Sequence, residues 1–138
     1  MSREKYMRKR VVEALSGLAA VAVENSVYPG TPDVSTIAGW LELKHLDAWP
    51  VRPTTAVGVK TFTVQQRLFL KRWCRNGGRA WVLLRVGDLE WLLLDGAYAA
   101  DHLGTATKSE LIKNAARHWP NGMPDADLYR EIADSMVN

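Results

Sequence analysis

Apolar and polar residues alternate through Trp40-Leu41-Glu42-Leu43-Lys44, the period of a strand, with Leu41 and Leu43 on one face and Trp40, Glu42 and Lys44 on the other. The β-branched run Asp33-Val34-Ser35-Thr36-Ile37 precedes it, and Ala38-Gly39 between the two predicts a two-residue hairpin turn. A turn that tight sets Asp33 opposite Lys44 and Ser35 opposite Glu42, so Asp33, Glu42 and Lys44 share a face. A slip of one residue would send Asp33 to the other side. Helical spacing governs residues 2–18, where Met7, Val11, Ala14, Leu15 and Leu18 form a stripe, and a short strand follows at 21–24. A second helix is expected over 63–75, capped by Thr63 and stopped by Gly77-Gly78, with Gln66, Phe69, Leu70 and Trp73 on its inner stripe. The near-continuous apolar runs 80–86 and 89–95, joined at Gly87-Asp88, read as strands buried on both faces. Two more amphipathic helices are expected at 108–119, capped by Thr107 and ended by Pro120, and at 125–136.

These elements predict an α/β fold in which a mixed sheet is flanked by helices. At 138 residues and 47% apolar composition the chain is large enough for one buried core, with no internal repeat. The expected division is a core over residues 1–95 and a helical C-terminal extension over 96–138 packed on the same domain. Residues 45–60 contain two prolines and little periodicity, which predicts a long loop. On it, Trp49 either anchors the loop to the core or, with Arg52, meets a nucleic-acid strand or a second subunit.

Net charge is only +3, yet its distribution is lopsided. No acid occurs from Ala48 to Gly87, a window that holds Arg52, Lys60, Arg67, Lys71, Arg72, Arg75, Arg79 and Arg85. Residues 88–138 then hold nine acids against four Lys and Arg, so one basic face suited to a polyanion is expected. Arg67, Lys71 and Arg75 recur every four residues and predict a phosphate-facing stripe, with Arg52 and Lys60 beside it. A lone cysteine, Cys74, points to a reducing intracellular setting, and no apolar run is long enough to span a bilayer. His45, His102 and His118 are scattered without metal spacing, and His45 falls on the strand face opposite Lys44.

Two carboxylates and an ammonium on one surface are a set that can hold Mg²⁺ and activate water, which makes Asp33, Glu42 and Lys44 the candidate centre. The tight, small segment Tyr28-Pro29-Gly30-Thr31-Pro32 before them suits close approach of a metal or phosphate. Gln66 stands at the N-terminal end of its helix, where its amide either projects toward the centre or closes a capping box with Thr63. A further carboxylate could come from Glu4, on the apolar face of the first helix, or from Glu24 on the short strand; Glu13 falls on the polar side.

The order Pro32-Asp33, Glu42-Leu43-Lys44 and a Gln-bearing helix, followed by an apolar strand, resembles the PD-(D/E)XK nuclease superfamily. The stretch 24–33, Gly39-Trp40-Leu41-Glu42-Leu43-Lys44, Gln65-Gln66-Arg67 and Gly77-Gly78 is similar to the small stand-alone VRR-NUC domains carried by bacteriophages. The resemblance covers roughly residues 1–95 and implies a restriction-endonuclease-like core. It further implies that Asp33, Glu42 and the Leu43 carbonyl ligate Mg²⁺ or Mn²⁺, with Glu4 as a possible added ligand, that Lys44 orients or polarises the attacking water, and that Gln66 supports the metal site or the scissile phosphate. The activity implied is a Holliday junction resolvase, a homodimer acting on branched DNA, phage-encoded and working in the host cytoplasm. The alternatives are a nuclease of linear DNA and a DNA-binding module without activity.

Overall fold

The computed structural model describes residues 3–25 and 27–137, so Ser2, where the first helix is expected to begin, and Ser26, inside the motif-bearing stretch, lie outside it. Among the described residues the chain forms α1 (Arg3–Ala14), β1 (Val21–Ala22), β2 (Val34–Ser35), β3 (Trp40–Leu46), α2 (Val64–Arg75), β4 (Ala80–Val86), β5 (Glu90–Asp95), α3 (Gly96–His102), α4 (Lys108–Asn114), β6 (Arg117–Trp119) and α5 (Asp125–Asp134). A 3-10 turn, Ser16–Leu18, follows α1. The sheet runs β1-β2-β3-β4-β5-β6 in sequence order. Only β3 and β4 are parallel, joined by the loop and α2; every other neighbouring pair is antiparallel. The fold is therefore α/β, a mixed sheet flanked by helices.

Strand parity divides the interior into two layers. Leu41, Leu43, Trp81, Leu83, Trp91 and Leu93 meet Met7 and Val11 of α1 and Leu128 and Ile132 of α5. On the opposite face Val82, Leu84, Leu92 and Leu94 meet Leu70 of α2, Ala99 and Ala100 of α3, Leu111 of α4, and Val57, Val59 and Phe62 of the long loop. Central strands that supply both layers must be apolar at nearly every position, and β4 and β5 are.

The hairpin differs from its expected form by two residues in register. Val34 pairs with Leu41 and Ser35 with Trp40, so Asp33 falls opposite Glu42 rather than Lys44. Thr36 and Gly39 exchange backbone hydrogen bonds of 3.0 and 3.3 Å, which makes Ile37-Ala38 the turn in place of Ala38-Gly39. The Thr36 hydroxyl accepts from the Ala38 and Gly39 amides at 3.0 and 3.1 Å and fixes that turn. Gly39 is needed for another reason: a Cβ there would stand 2.1 Å from the Arg79 carbonyl oxygen, where the chain enters β4. Because the shift is an even number of residues, every side chain keeps its face.

The C-terminal part departs more. The helix expected over 108–119 stops at Asn114, with Ala115 already extended at φ −66 and ψ 143. Arg117–Trp119 is instead an edge strand on β5, with Trp119 opposite Trp91. The same tryptophan is buried in either arrangement, so an apolar stripe alone does not separate them. Residues 96–102, left without an element in the sequence reading, form α3, capped by the Asp95 side chain on the Tyr98 amide at 3.2 Å. The helix expected at 125–136 ends at Asp134. Residues 96–138 thus contribute a strand to the sheet and side chains to both layers.

Candidate active site

Asp33, Glu42 and Lys44 come together on the α2 side of the sheet. Glu42 and Lys44, two residues apart on β3, point the same way and are 1% and 3% exposed, as buried as the leucines that alternate with them. Asp33 sits just before β2, across from Glu42 in the continuing register. One Asp33 carboxylate oxygen accepts the Leu43 amide at 2.8 Å. Backbone N–H and C=O groups of one strand residue lie on the same side, so the Leu43 carbonyl is directed to this edge of β3 as well.

Burial is the principal force on Glu42 and raises its pKa from 4.5 to about 9, with the Asp33 charge adding to it. Lys44 acts in the opposite sense, and a shared hydrogen bond with Asp33 and the more distant Glu4 charge push the value further up. At neutral pH the buried Glu42 carboxyl therefore holds its proton when no metal is bound. Glu42 Oε2 is buried with no hydrogen-bond partner. Such an atom is costly in a folded protein, and a cation is one partner that would satisfy it.

Lys44 is enclosed by the loop that follows β3. Its ammonium donates to the Thr61 carbonyl at 2.9 Å, approaches the Thr61 hydroxyl at 3.4 Å and lies 5.8 Å from the centre of the Phe62 ring. An ammonium has three donors, and Thr61 takes at most two. The loop is held at several points: Trp49 Nε1 donates to Glu90 at 2.7 Å, the Val57 amide donates to the Ala106 carbonyl at 2.8 Å, and Val57, Val59 and Phe62 are buried. Trp49 is thereby an anchor, the first of the two uses considered for it. The residues that cover Lys44 carried no signal in the sequence, since Thr61 and Phe62 resemble any helix approach.

Of the two candidates for a further carboxylate, Glu4 is the one whose charge reaches Glu42, whereas Glu24 is turned toward Arg8 at 3.7 Å with its side chain 84% exposed. Glu4 itself is exposed at the start of α1. Among the described residues no three His, Cys, Asp or Glu side chains gather into a metal-holding group. The donors on hand for a cation are thus the two carboxylates of Asp33 and Glu42 and the Leu43 carbonyl, all hard oxygens of the kind Mg²⁺ and Mn²⁺ take. The unpartnered Oε2 inside that set makes the residues a fit.

Other candidates fall elsewhere. Gln66 closes the capping box: its Oε1 accepts the Thr63 backbone N–H at 2.9 Å while its own backbone N–H donates to the Thr63 hydroxyl at 3.1 Å. That is the second of its two uses, and it takes the amide oxygen away from the carboxylates. The stripe Arg67, Lys71 and Arg75 is split. Arg67 donates to the Ala100 carbonyl at 3.0 Å and stacks 4.3 Å from the Phe62 ring centre, and Lys71 pairs with Asp101 at 2.8 Å. Both are engaged by α3, an element the sequence reading lacked, though Lys71 stays half exposed in its pair, and Arg75 is exposed. Arg52 and Lys60 are exposed on the loop. His45 faces away from Lys44, 3.1 Å from the Gly87 carbonyl.

The basic surface that remains on α2 lies on its other flank. Tyr28, Pro29, Gln65, Leu68, Phe69, Arg72 and Arg75 line one cleft of about 340 Å³, and Tyr28, Phe69, Arg72, Trp73 and Asn76 line an adjoining one of about 350 Å³. Among the described residues no helix is long and apolar enough to cross a membrane. No family model and no curated protein matches this chain.

Proposed function

We propose that this chain is a metal-dependent endodeoxyribonuclease that hydrolyses phosphodiester bonds in branched DNA, a four-way junction being the first substrate to examine. The observation that carries the reading is the buried face of β3, where Glu42, with an unpartnered oxygen, and Lys44 stand beside Asp33. Folding does not retain an acid and a base in such a place for stability, since apolar side chains of similar size would serve better. Asp33, Glu42 and the Leu43 carbonyl would hold Mg²⁺ or Mn²⁺, which when bound polarises the scissile phosphate and lowers the pKa of a water. To serve as a ligand, Glu42 would have to release the proton that burial favours. Lys44, desolvated and fixed by Thr61, keeps a donor for the charge that develops on the phosphate or for the attacking water. The single Cys74, free of any disulfide, suits a reducing, cytoplasmic setting. Symmetric cutting of a junction calls for two sites related by a two-fold axis, hence a homodimer.

Cleavage of a four-way junction and of a matched duplex, each with Mg²⁺ or Mn²⁺, tests the reading. The expected result is metal-dependent cutting that prefers the junction, abolished in Asp33→Asn and Lys44→Met while DNA binding persists. Full activity in either variant would overturn the site. Equal cutting of the duplex would move the substrate to linear DNA, and no cutting of any DNA would leave a binding module.

A further inference from the structure

We infer that the paired cleft between the Tyr28 loop and the outer flank of α2 binds an unpaired nucleotide of a DNA strand, its base on the aromatic rings and its phosphates on Arg72 and Arg75. The inference rests on the nuclease reading only for where the strand leads, toward Asp33 and Glu42. Tyr28, Phe69 and Arg72 line both halves of the cleft. Tyr28 and Leu68 are 65% and 60% exposed and Trp73 is 41% exposed, a group of large apolar side chains left open along one cleft. Phe69 and Trp73, both in the lining, stack nearly parallel, 13° apart with centres separated by 5.9 Å. Aromatic faces stack on any base without reading its sequence.

Charge selects the occupant. The lining contains Arg72 and Arg75 and no acid, and among the described residues neither arginine forms an ion pair. Two unneutralised guanidinium groups beside open rings match a nucleotide, which offers a π face and a phosphate together, better than they match an apolar protein surface. The cleft also adjoins the candidate centre. Phe69 meets the edge of Trp40 at 5.8 Å, and Trp40 precedes Glu42 by two residues on the same strand face. On the other wall, Gly30 rests so closely on α2 that a Cβ there would lie 2.4 Å from the Gln65 carbonyl, and Pro32-Asp33 follow directly.

Binding of a short oligothymidylate to the full-length, metal-free protein tests this without any dependence on catalysis, read by quenching of tryptophan fluorescence. The expected result is binding that Tyr28→Ala weakens about tenfold, and Arg72→Gln with Arg75→Gln lowers the slope of log affinity against log salt by about 1.4. These side chains are exposed, so the fold survives their replacement; an unchanged circular dichroism melt checks it. Absence of oligonucleotide binding, or affinity unaltered in these variants, would overturn the inference. So would a monomer-dimer equilibrium that Tyr28→Ala abolishes, since the occupant would then be a second copy of the chain. Failure of cleavage with cleft-dependent binding intact strikes the nuclease reading alone, while junction cleavage with binding indifferent to the cleft variants strikes this inference alone.

Discussion

β3 shows two solutions to burial on one strand. Its α1-facing side chains, Leu41 and Leu43, are 0% and 1% exposed within an apolar layer that asks nothing more of them than volume. Its α2-facing side chains, Glu42 and Lys44, are as deeply enclosed, yet one keeps an oxygen without a partner and the other is held by a loop carbonyl. The first face lowers the free energy of the fold through burial of carbon. The second raises it, because desolvation of ionisable groups is unfavourable unless each is fully paired. Substitutions on the two faces should therefore separate activity from stability.

The largest separation is expected at Lys44. Lys44→Met should lower the cleavage rate by about 10²–10³-fold, the range for loss of one preorganised donor to a developing charge, while the unfolding midpoint holds or rises. Rates on a four-way junction and denaturant melts of the same preparation measure both. Leu41→Ala should do the reverse, costing about 2–5 kcal/mol in stability by chemical denaturation, with residual activity tracking the folded fraction.

Glu42 gives the comparison a pH axis. Its pKa is raised from 4.5 to about 9 in the fold, chiefly by burial, so the folded state binds a proton that the unfolded chain releases. The associated stability is complete below about 4.5 and is lost as pH rises to about 9. Glu42→Gln removes that dependence, and the metal-free variant should melt about 5 °C above the parent at pH 8, with the gap closing toward pH 4. A melt series that shows no pH-dependent gap would put the proton elsewhere. By the same proton, affinity for Mn²⁺ measured by calorimetry should increase across this interval, with proton release on binding.

Smaller effects test the residues that lie off this face. Gln66→Ala should cost about 1 kcal/mol through loss of the capping box and leave the cleavage rate within about twofold. A large rate loss without a matching change in the melt would return Gln66 to the active centre. Lys71→Ala, which removes an exposed pair with Asp101, should shift the melting midpoint by less than about 2 °C.

That Asp33, Glu42 and Lys44 share a face was legible because the pattern that places them is local and periodic. Asp33, Glu42, Leu43 and Lys44 fall within one hairpin, and an alternating pattern assigns faces even when the turn is misplaced, provided the error in register is even. The helix over 63–75 was equally legible through Thr63, which carries its cap in its side chain. What could not be read depends on tertiary partners. Arg67 and Lys71 have the spacing of a free basic stripe, and only the docking of the Ala-rich α3 assigns them to Ala100 and Asp101. The 117–119 segment is a strand because β5 has an unfilled edge that Trp119 can close over, a demand that no window of local sequence expresses. The enclosure of Lys44 by Thr61 and Phe62 is of the same kind.

The enclosing loop has a consequence for how such a centre can change. The groups proposed to bind and react are encoded within twelve consecutive positions, 33–44, whereas the cover over Lys44 comes from Thr61 and Phe62. The two parts vary independently along the chain. A substitution in the loop can let water reach Glu42 or loosen the grip on Lys44 with every proposed ligand left in place. The proposed reactive set can stay fixed while the burial that raises the Glu42 pKa drifts with the cover.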